Sequence, residues 1–441
     1  MDTYFEQIKR ASIMIDSLCI FKKLKEDSVL IKYKALLKYL SYDDISISEG
    51  ITLYNEFVYE LLEKSNGTNF KKYIIDKIFL DNNAFTKMID YNDLSQKNIT
   101  SQVSFELEAL QYICSIECKT IKDAILYKTK GIDFEEGIIK NLIEWDVEKC
   151  IYNSEKAIDS IKEKIINSSK WSECLDDIIE FYRQFGTGEF GEYRAFVWER
   201  DGGRAYLRGV KHPDPVRLSQ LVGYEDQKKI IINNTLQFLN GHPANNLLLY
   251  GSRGTGKSST VKAIVNEYYD RGLRLIEVDK DRLTDFTKII EVLKDKNLKF
   301  IIFVDDLVFQ DGEASYSALK TILEGGIESN TNNIIIYATT NRKHLVKETF
   351  EERNNDIHAS DTVEEKLSLS DRFGITVSFY SPDQKEYLTI VESLVKERNI
   401  EVDPEYLRAE ALKWVRFYNG RSPRTAKQFV NYLEGNLNIK E

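Results

Sequence analysis

The chain has 441 residues, 42% of them hydrophobic and 30% charged, with 61 Lys and Arg against 71 Asp and Glu for a net charge of −10. At about 100–200 residues per domain, that length holds two to four domains with real cores, and the balance excludes a wholly disordered chain. A membrane-spanning helix needs about 18 consecutive apolar residues, and runs such as Phe300–Val304 fall far short, so no membrane partner is expected. The N-terminus has no basic segment followed by an apolar stretch, so the expected location is cytoplasmic.

All six prolines follow residue 212, which predicts a helical front half. Apolar spacings of three and four in Leu36–Leu40, Phe105…Leu107…Leu110…Ile113 and Ile138…Ile143 agree with that. The acidity is concentrated there, about −8 over residues 1–200 and about −2 over the rest, which disfavours a broad nucleic-acid surface. Five cysteines lie in the first half and four histidines in the second, a separation that argues against a mixed zinc site, while wide spacings argue against a disulfide framework. Cys114 and Cys118 are expected on one helix face as buried small hydrophobes.

Residues 181–217 turn to Gly and aromatic side chains and end in His212-Pro213-Asp214-Pro215, which reads as connector. Gly186-x-Gly188-x-x-Gly191 nominally matches a dinucleotide fingerprint, but no apolar strand precedes it, and it reads as loop glycine. Beyond residue 218, Leu247–Tyr250, Leu273–Val278, Phe300–Val304, Ile334–Ala338 and Ile375–Phe379 are candidate strands separated by helices. Such doubly apolar runs predict an α/β fold, a five-stranded parallel sheet with helices on both faces. From Ser381 the pattern is helical, with Ser381 as expected N-cap and further helices starting near Asp403-Pro404 and Ser422-Pro423. The predicted organisation is a mainly α-helical N-terminal domain over 1–180, a connector over 181–217, an α/β core over 218–380 and a C-terminal helical lid over 381–441.

The chemistry centres on Gly251-Ser252-Arg253-Gly254-Thr255-Gly256-Lys257-Ser258, which follows an apolar strand and opens a helix continuing through Ser259. Glycines allow the tight loop whose backbone amides face phosphate oxygens, and the helix N-terminus faces the same anion. Lys257 is then expected on the β- and γ-phosphates and the Ser258 hydroxyl on Mg²⁺. Forty-eight residues after Lys257, the strand Phe300–Val304 ends in Asp305-Asp306, at the strand end where α/β sheets place ligands. Asp305 is expected to hold Mg²⁺ through its water shell and Asp306 to orient or deprotonate the attacking water.

These motifs resemble an AAA+ P-loop ATPase. Pro243–Asn246, Ala318–Gly326 and Val363–Gly374 more closely resemble the bacterial family catalogued as domain of unknown function 815, over about residues 181–433. The resemblance implies ATP and Mg²⁺ as cofactors and an ATPase reaction. It implies that Asn341 senses the γ-phosphate, that Arg372 acts as an arginine finger on a neighbouring subunit, and that Arg424, or its close competitor Arg421, couples the lid to nucleotide. It implies that Val222 and Gly223 in Leu221–Glu225 hold adenine, and the absence of an Asn-Lys-x-Asp motif agrees with adenine over guanine. A homo-oligomer, a ring or paired subunits, follows from the finger.

Asp306 stands where many such enzymes carry Glu, so the water must sit closer or another acid such as Glu313 must help, and turnover is expected to be slow. Three uses remain open: a remodeller or switch that recruits a protein client through the N-terminal helices, a nucleic-acid-linked loader, and an assembly scaffold with little turnover. No aromatic-Gly pore loop lies between Lys257 and Asp305, which argues against threading an unfolded chain.

Overall fold

The computed structural model describes residues 2–42, 45–65, 69–91, 93–129, 133–145, 157–309, 313–323, 332–341, 372–417 and 420–439. One of the five cysteines, Cys150, two of the four histidines, His344 and His358, and the segments 324–326 and 363–371 of the motifs quoted above lie outside the described residues. The chain divides into two compact units, Met1–Glu192 and Tyr193–Glu441.

Among its described residues, every regular element of the first unit is a helix, as the proline-free sequence predicts. Its helices include Ser28–Leu40, Ile47–Ser65, Phe70–Leu80 and Lys97–Cys114. Tyr33, Phe57, Phe70 and Trp145 stack at its centre, with Tyr33 4.7 Å from Phe57 and Phe57 5.1 Å from Trp145. Glu106 is fully buried and accepts hydrogen bonds from the amides of Cys19 at 2.8 Å and Phe21 at 2.9 Å, which satisfies its charge and fixes the turn after the first helix. Cys114 and Cys118 do not share one helix face. Cys114 ends one helix and Cys118 begins the next, both buried, with the Cys118 thiol 2.9 Å from the Tyr54 hydroxyl. Gly186, at φ +79°, closes the helix Leu175–Phe185, so this glycine cluster works as a helix end.

The second unit is built on one seven-stranded sheet. Its strands are β1 Ala195–Asp201, β2 Arg204–Gly209, β3 Leu247–Gly251, β4 Leu273–Glu277, β5 Lys299–Val304, β6 Ile334–Thr340 and β7 Ile375–Phe379. The order across the sheet is β2-β1-β4-β5-β6-β3-β7, parallel except for the β1–β2 hairpin. The five expected strands are present. Two more come from the segment read as connector, where Asp201-Gly202-Gly203 turns a hairpin and β1 runs parallel beside β4.

Side chains from β3 to β7 form the buried core with Ile231 and Phe238 of the helix Glu225–Leu239 and Val261, Ile264 and Val265 of the helix Lys257–Tyr268. Three helices, Gln384–Glu397, Pro404–Phe417 and Pro423–Ile439, form the lid around Tyr387, Val391, Ala411 and Val430. The first lid helix is capped by Asp383 rather than Ser381. Asp383 accepts from the Glu386 amide at 2.8 Å while Glu386 accepts from the Asp383 amide at 2.9 Å, a reciprocal pair that Ser381 and Gln384 do not make.

One buried carboxylate fastens β1 to the turn after β4. Asp285 accepts from the Trp198 indole at 3.1 Å, from Lys288 at 3.1 Å and from the Arg200 guanidinium. The Arg200 guanidinium, with help from Trp198 and Lys288, holds this carboxyl well below the usual carboxylate range against the opposing effect of burial. Because the folded value is depressed, its contribution is complete above about pH 4, where an unfolded aspartate is ionised, and is lost as the pH falls through the folded value. Replacing Asp285 with Ala is expected to cost about 2–3 kcal/mol, since it strands the indole and one half-exposed Arg. Urea unfolding at pH 7 and pH 3 checks this, and a difference between native chain and variant that fails to shrink at low pH contradicts the assignment.

Candidate nucleotide site

The loop between β3 and the helix Lys257–Tyr268 lies at the C-terminal end of the sheet. Gly251, Gly254 and Gly256 hold φ values of +139°, +77° and +93°. A Cβ on Gly251 would fall 2.0 Å from the Phe379 carbonyl oxygen on β7, so no other residue fits there. Lys257 is 7% exposed. Its ammonium donates to the carbonyls of Gly251 at 2.9 Å and Ser252 at 2.8 Å and to the Asn341 side-chain oxygen at 3.0 Å. Burial draws this ammonium below the ordinary lysine range, Asp305 and Asp306 oppose the shift, and Arg424 and Arg253 add to it.

Asp305 and Asp306 follow β5 directly and meet the loop. Asp305 Oδ1 accepts from the Ser258 hydroxyl at 2.6 Å and from the Thr339 hydroxyl. Asp306 has φ +51°, and its Oδ1 accepts from the Asn341 amide at 2.8 Å. Lys257, Asn341 and Asp306 therefore form one continuous hydrogen-bonded chain. Hydroxyl and carboxylate oxygens side by side, as at Ser258 and Asp305, are the hard donors that a magnesium ion takes while keeping several waters. The residues present fit that ion.

Lys257 and the carboxylates line a cleft of about 810 Å³, ample for a nucleotide. Val222, Gly223 and Tyr224 also line it, together with Ile390 and Leu394 of the lid, and a Cβ on Gly223 would lie 3.7 Å from Ile390. Val222 packs on the lid core, and Gly223 takes a φ of +85°. Tyr224 donates to the Tyr380 carbonyl at 2.5 Å, and its ring lies 5.1 Å from Phe379. The segment ahead of this wall is tied to the phosphate-loop helix by Asn266, which donates to the carbonyls of Asp214 at 2.7 Å and Val216 at 2.8 Å.

Arg253, Arg424 and Lys427 also line the cleft, and Arg421 does not. The Arg424 amide donates to the Gly254 carbonyl at 3.1 Å, so the start of the last lid helix is hooked onto the phosphate loop. Ser252 and Ser259 flank the loop, Ser259 in the cleft wall. Arg372 is elsewhere. It precedes β7 at the strand end level with Leu247, whereas the loop leaves β3 level with Phe379, so the whole five-residue strand, about 16 Å, lies between Arg372 and this cleft. Glu313 is turned to Lys280, 3.4 Å away, and does not line the cleft.

Thr339 escaped the sequence reading. Its hydroxyl reaches both acidic positions, accepting from the Asp306 amide at 3.0 Å. Lys427, Ile390 and Leu394 also join the wall without a sequence signal beyond helical spacing.

Strand order, phosphate loop, paired carboxylates at the end of β5 and a helical lid over the cleft make up the fold and the P-loop site of the AAA+ class. The chain belongs to the family described as "Protein of unknown function (DUF815)", whose model matches residues 191–437. It is also similar to the Holliday junction branch migration complex subunit RuvB of Mycoplasmopsis pulmonis, 26% identical over 231 residues, 50% of this chain and 65% of the relative. Among solved structures, the Thermotoga maritima RuvB Holliday junction branch migration motor aligns at 17% identity and a TM-score of 0.36, over 51% of this chain and 66% of that one. The chain thus spans just under two thirds of these relatives' lengths.

Proposed function

We propose that this protein is an oligomeric, Mg²⁺-dependent ATPase that converts nucleotide state into action on a protein partner. The observation that carries this reading is the convergence of Lys257, Ser258, Asp305, Asp306 and Asn341 through direct hydrogen bonds in the wall of a nucleotide-sized cleft. The loop from Gly251 to Gly256 cradles the phosphates, and Lys257 exchanges acceptors within that loop for phosphate oxygens. When bound, Mg²⁺ neutralises charge on the β- and γ-phosphates, and Ser258 and Asp305 are the residues that would hold it. Asp306 orients the attacking water and takes its proton, with Asn341 holding that carboxylate in place and sensing the γ-phosphate. Val222 and Gly223 hold adenine, and Arg424, which lies in the cleft wall where Arg421 does not, ties the lid to the phosphates.

Arg372, too far from its own cleft, stabilises charge in a neighbour's site, which makes the working form a ring or pair. The helical unit 1–192 recruits the client, and the cytoplasm is its place of work. A second reading, ATP-controlled placement on nucleic acid, draws on the similarity to a Holliday junction branch migration subunit.

The test is ATP turnover by the purified chain with Mg²⁺, with EDTA, and with DNA, together with its mass with and without Mg·ATP. Turnover lost in EDTA and a larger assembly with nucleotide are expected. Stimulation by DNA moves the conclusion to the second reading, and no turnover under any condition leaves a scaffold.

A further inference from the structure

We infer that Thr339 is the positioning residue that sets both carboxylates of the site through a single hydroxyl, an inference that rests on the ATPase reading. A hydroxyl has one proton to give and lone pairs to receive. At Thr339, 2% exposed near the end of β6, the proton goes to Asp305 Oδ1 and the oxygen accepts the Asp306 amide at 3.0 Å. The Thr339 carbonyl also accepts from the Leu307 amide at 2.7 Å, so the turn after β5 is fastened to this one residue at three points.

That turn needs fastening. Asp306 sits in the left-handed region at φ +51°, where a residue with a Cβ is held only by surrounding contacts. The amide is anchored by Thr339 and the carboxylate by Asn341, two residues further along and just beyond the end of β6. Asp306 is a methylene shorter than the glutamate that many AAA+ enzymes carry at this position. Its reach therefore depends on where the backbone points it, and Thr339 sets that direction. The same hydroxyl joins Ser258 and, at 3.2 Å, the Asp306 amide as donors to Asp305 Oδ1, so that oxygen is engaged by three groups. Neither Val nor Ala can make this link.

The test compares Thr339→Val, which keeps the shape, with Thr339→Ser, which keeps the hydroxyl. ADP binding without metal is measured by calorimetry, Mn²⁺ binding beside ADP by electron paramagnetic resonance, and ATP turnover by phosphate release. Thr339→Val is expected to bind metal-free ADP as the native chain does, to bind Mn²⁺ about 10- to 100-fold more weakly, and to lose kcat by a similar factor with little change in KM. Thr339→Ser is expected to restore both. Native Mn²⁺ affinity in Thr339→Val, or a Ser variant that falls as far as Val, overturns the inference and assigns Thr339 to packing. If the native chain binds Mn²⁺ and ADP but never hydrolyses ATP, the ATPase reading fails and the Mn²⁺ affinities alone decide the role of Thr339. A native chain that binds neither ADP nor Mn²⁺ overturns both.

Discussion

Replacing Lys257 with Ala is expected to weaken ADP and ATP binding by at least about 100-fold, measured by calorimetric titration. The side chain is nearly buried, and its three donors are all engaged, on Gly251, Ser252 and Asn341. Truncation removes the cation that meets the phosphates and leaves those acceptors facing a hole. It also takes the mobile charge from a cleft that still holds Asp305 and Asp306, so an incoming anion meets two carboxylates with less to offset them. Unchanged affinity would place the nucleotide elsewhere.

The largest effect on turnover is expected from Arg372→Ala and Asp306→Asn. Each should keep nucleotide binding and lose ATP hydrolysis by about 10³-fold or more, the scale on which a finger acts. The two changes sit at opposite ends of the strands, so the two inactive proteins can complement each other when mixed. An interface that pairs the finger of the Asp306→Asn chain with the carboxylate of the Arg372→Ala chain has every part intact, and part of the activity should return. Mixtures that stay dead at every ratio would argue that Arg372 acts within its own chain or not at all.

Much of this molecule is legible in its sequence, because burial on both faces writes strands as plain apolar runs. Leu247–Tyr250 and Phe300–Val304 are of that kind, and the motifs attached to them carry the phosphate loop and the carboxylates. β1 is different. Its sequence Ala-Phe-Val-Trp-Glu-Arg becomes polar halfway, as a strand near the sheet edge does, and the Asp201-Gly202-Gly203 turn that marks the hairpin is easily taken for linker glycine. Thr339 could not be singled out because Ala338-Thr339-Thr340-Asn341 presents two adjacent threonines, and only the register of β6 decides which one faces Asp305. The cap lies two residues beyond Ser381 for a local reason: Ser381 and Gln384 have the right spacing, but so do Asp383 and Glu386, and a carboxylate is a stronger acceptor than a hydroxyl.

The hook between the Arg424 amide and the Gly254 carbonyl has a mechanical consequence. The helix that begins there runs 17 residues, a rod of about 25 Å. Its near end is pinned to the loop that would clasp the phosphates, so the rod has a pivot at one tip. A tilt of about 10° there would sweep the far tip through about 4 Å. The lever is built into the attachment point, and a small change of angle at the phosphate loop can emerge at the far end of the helix as a displacement wide enough for another molecule to feel.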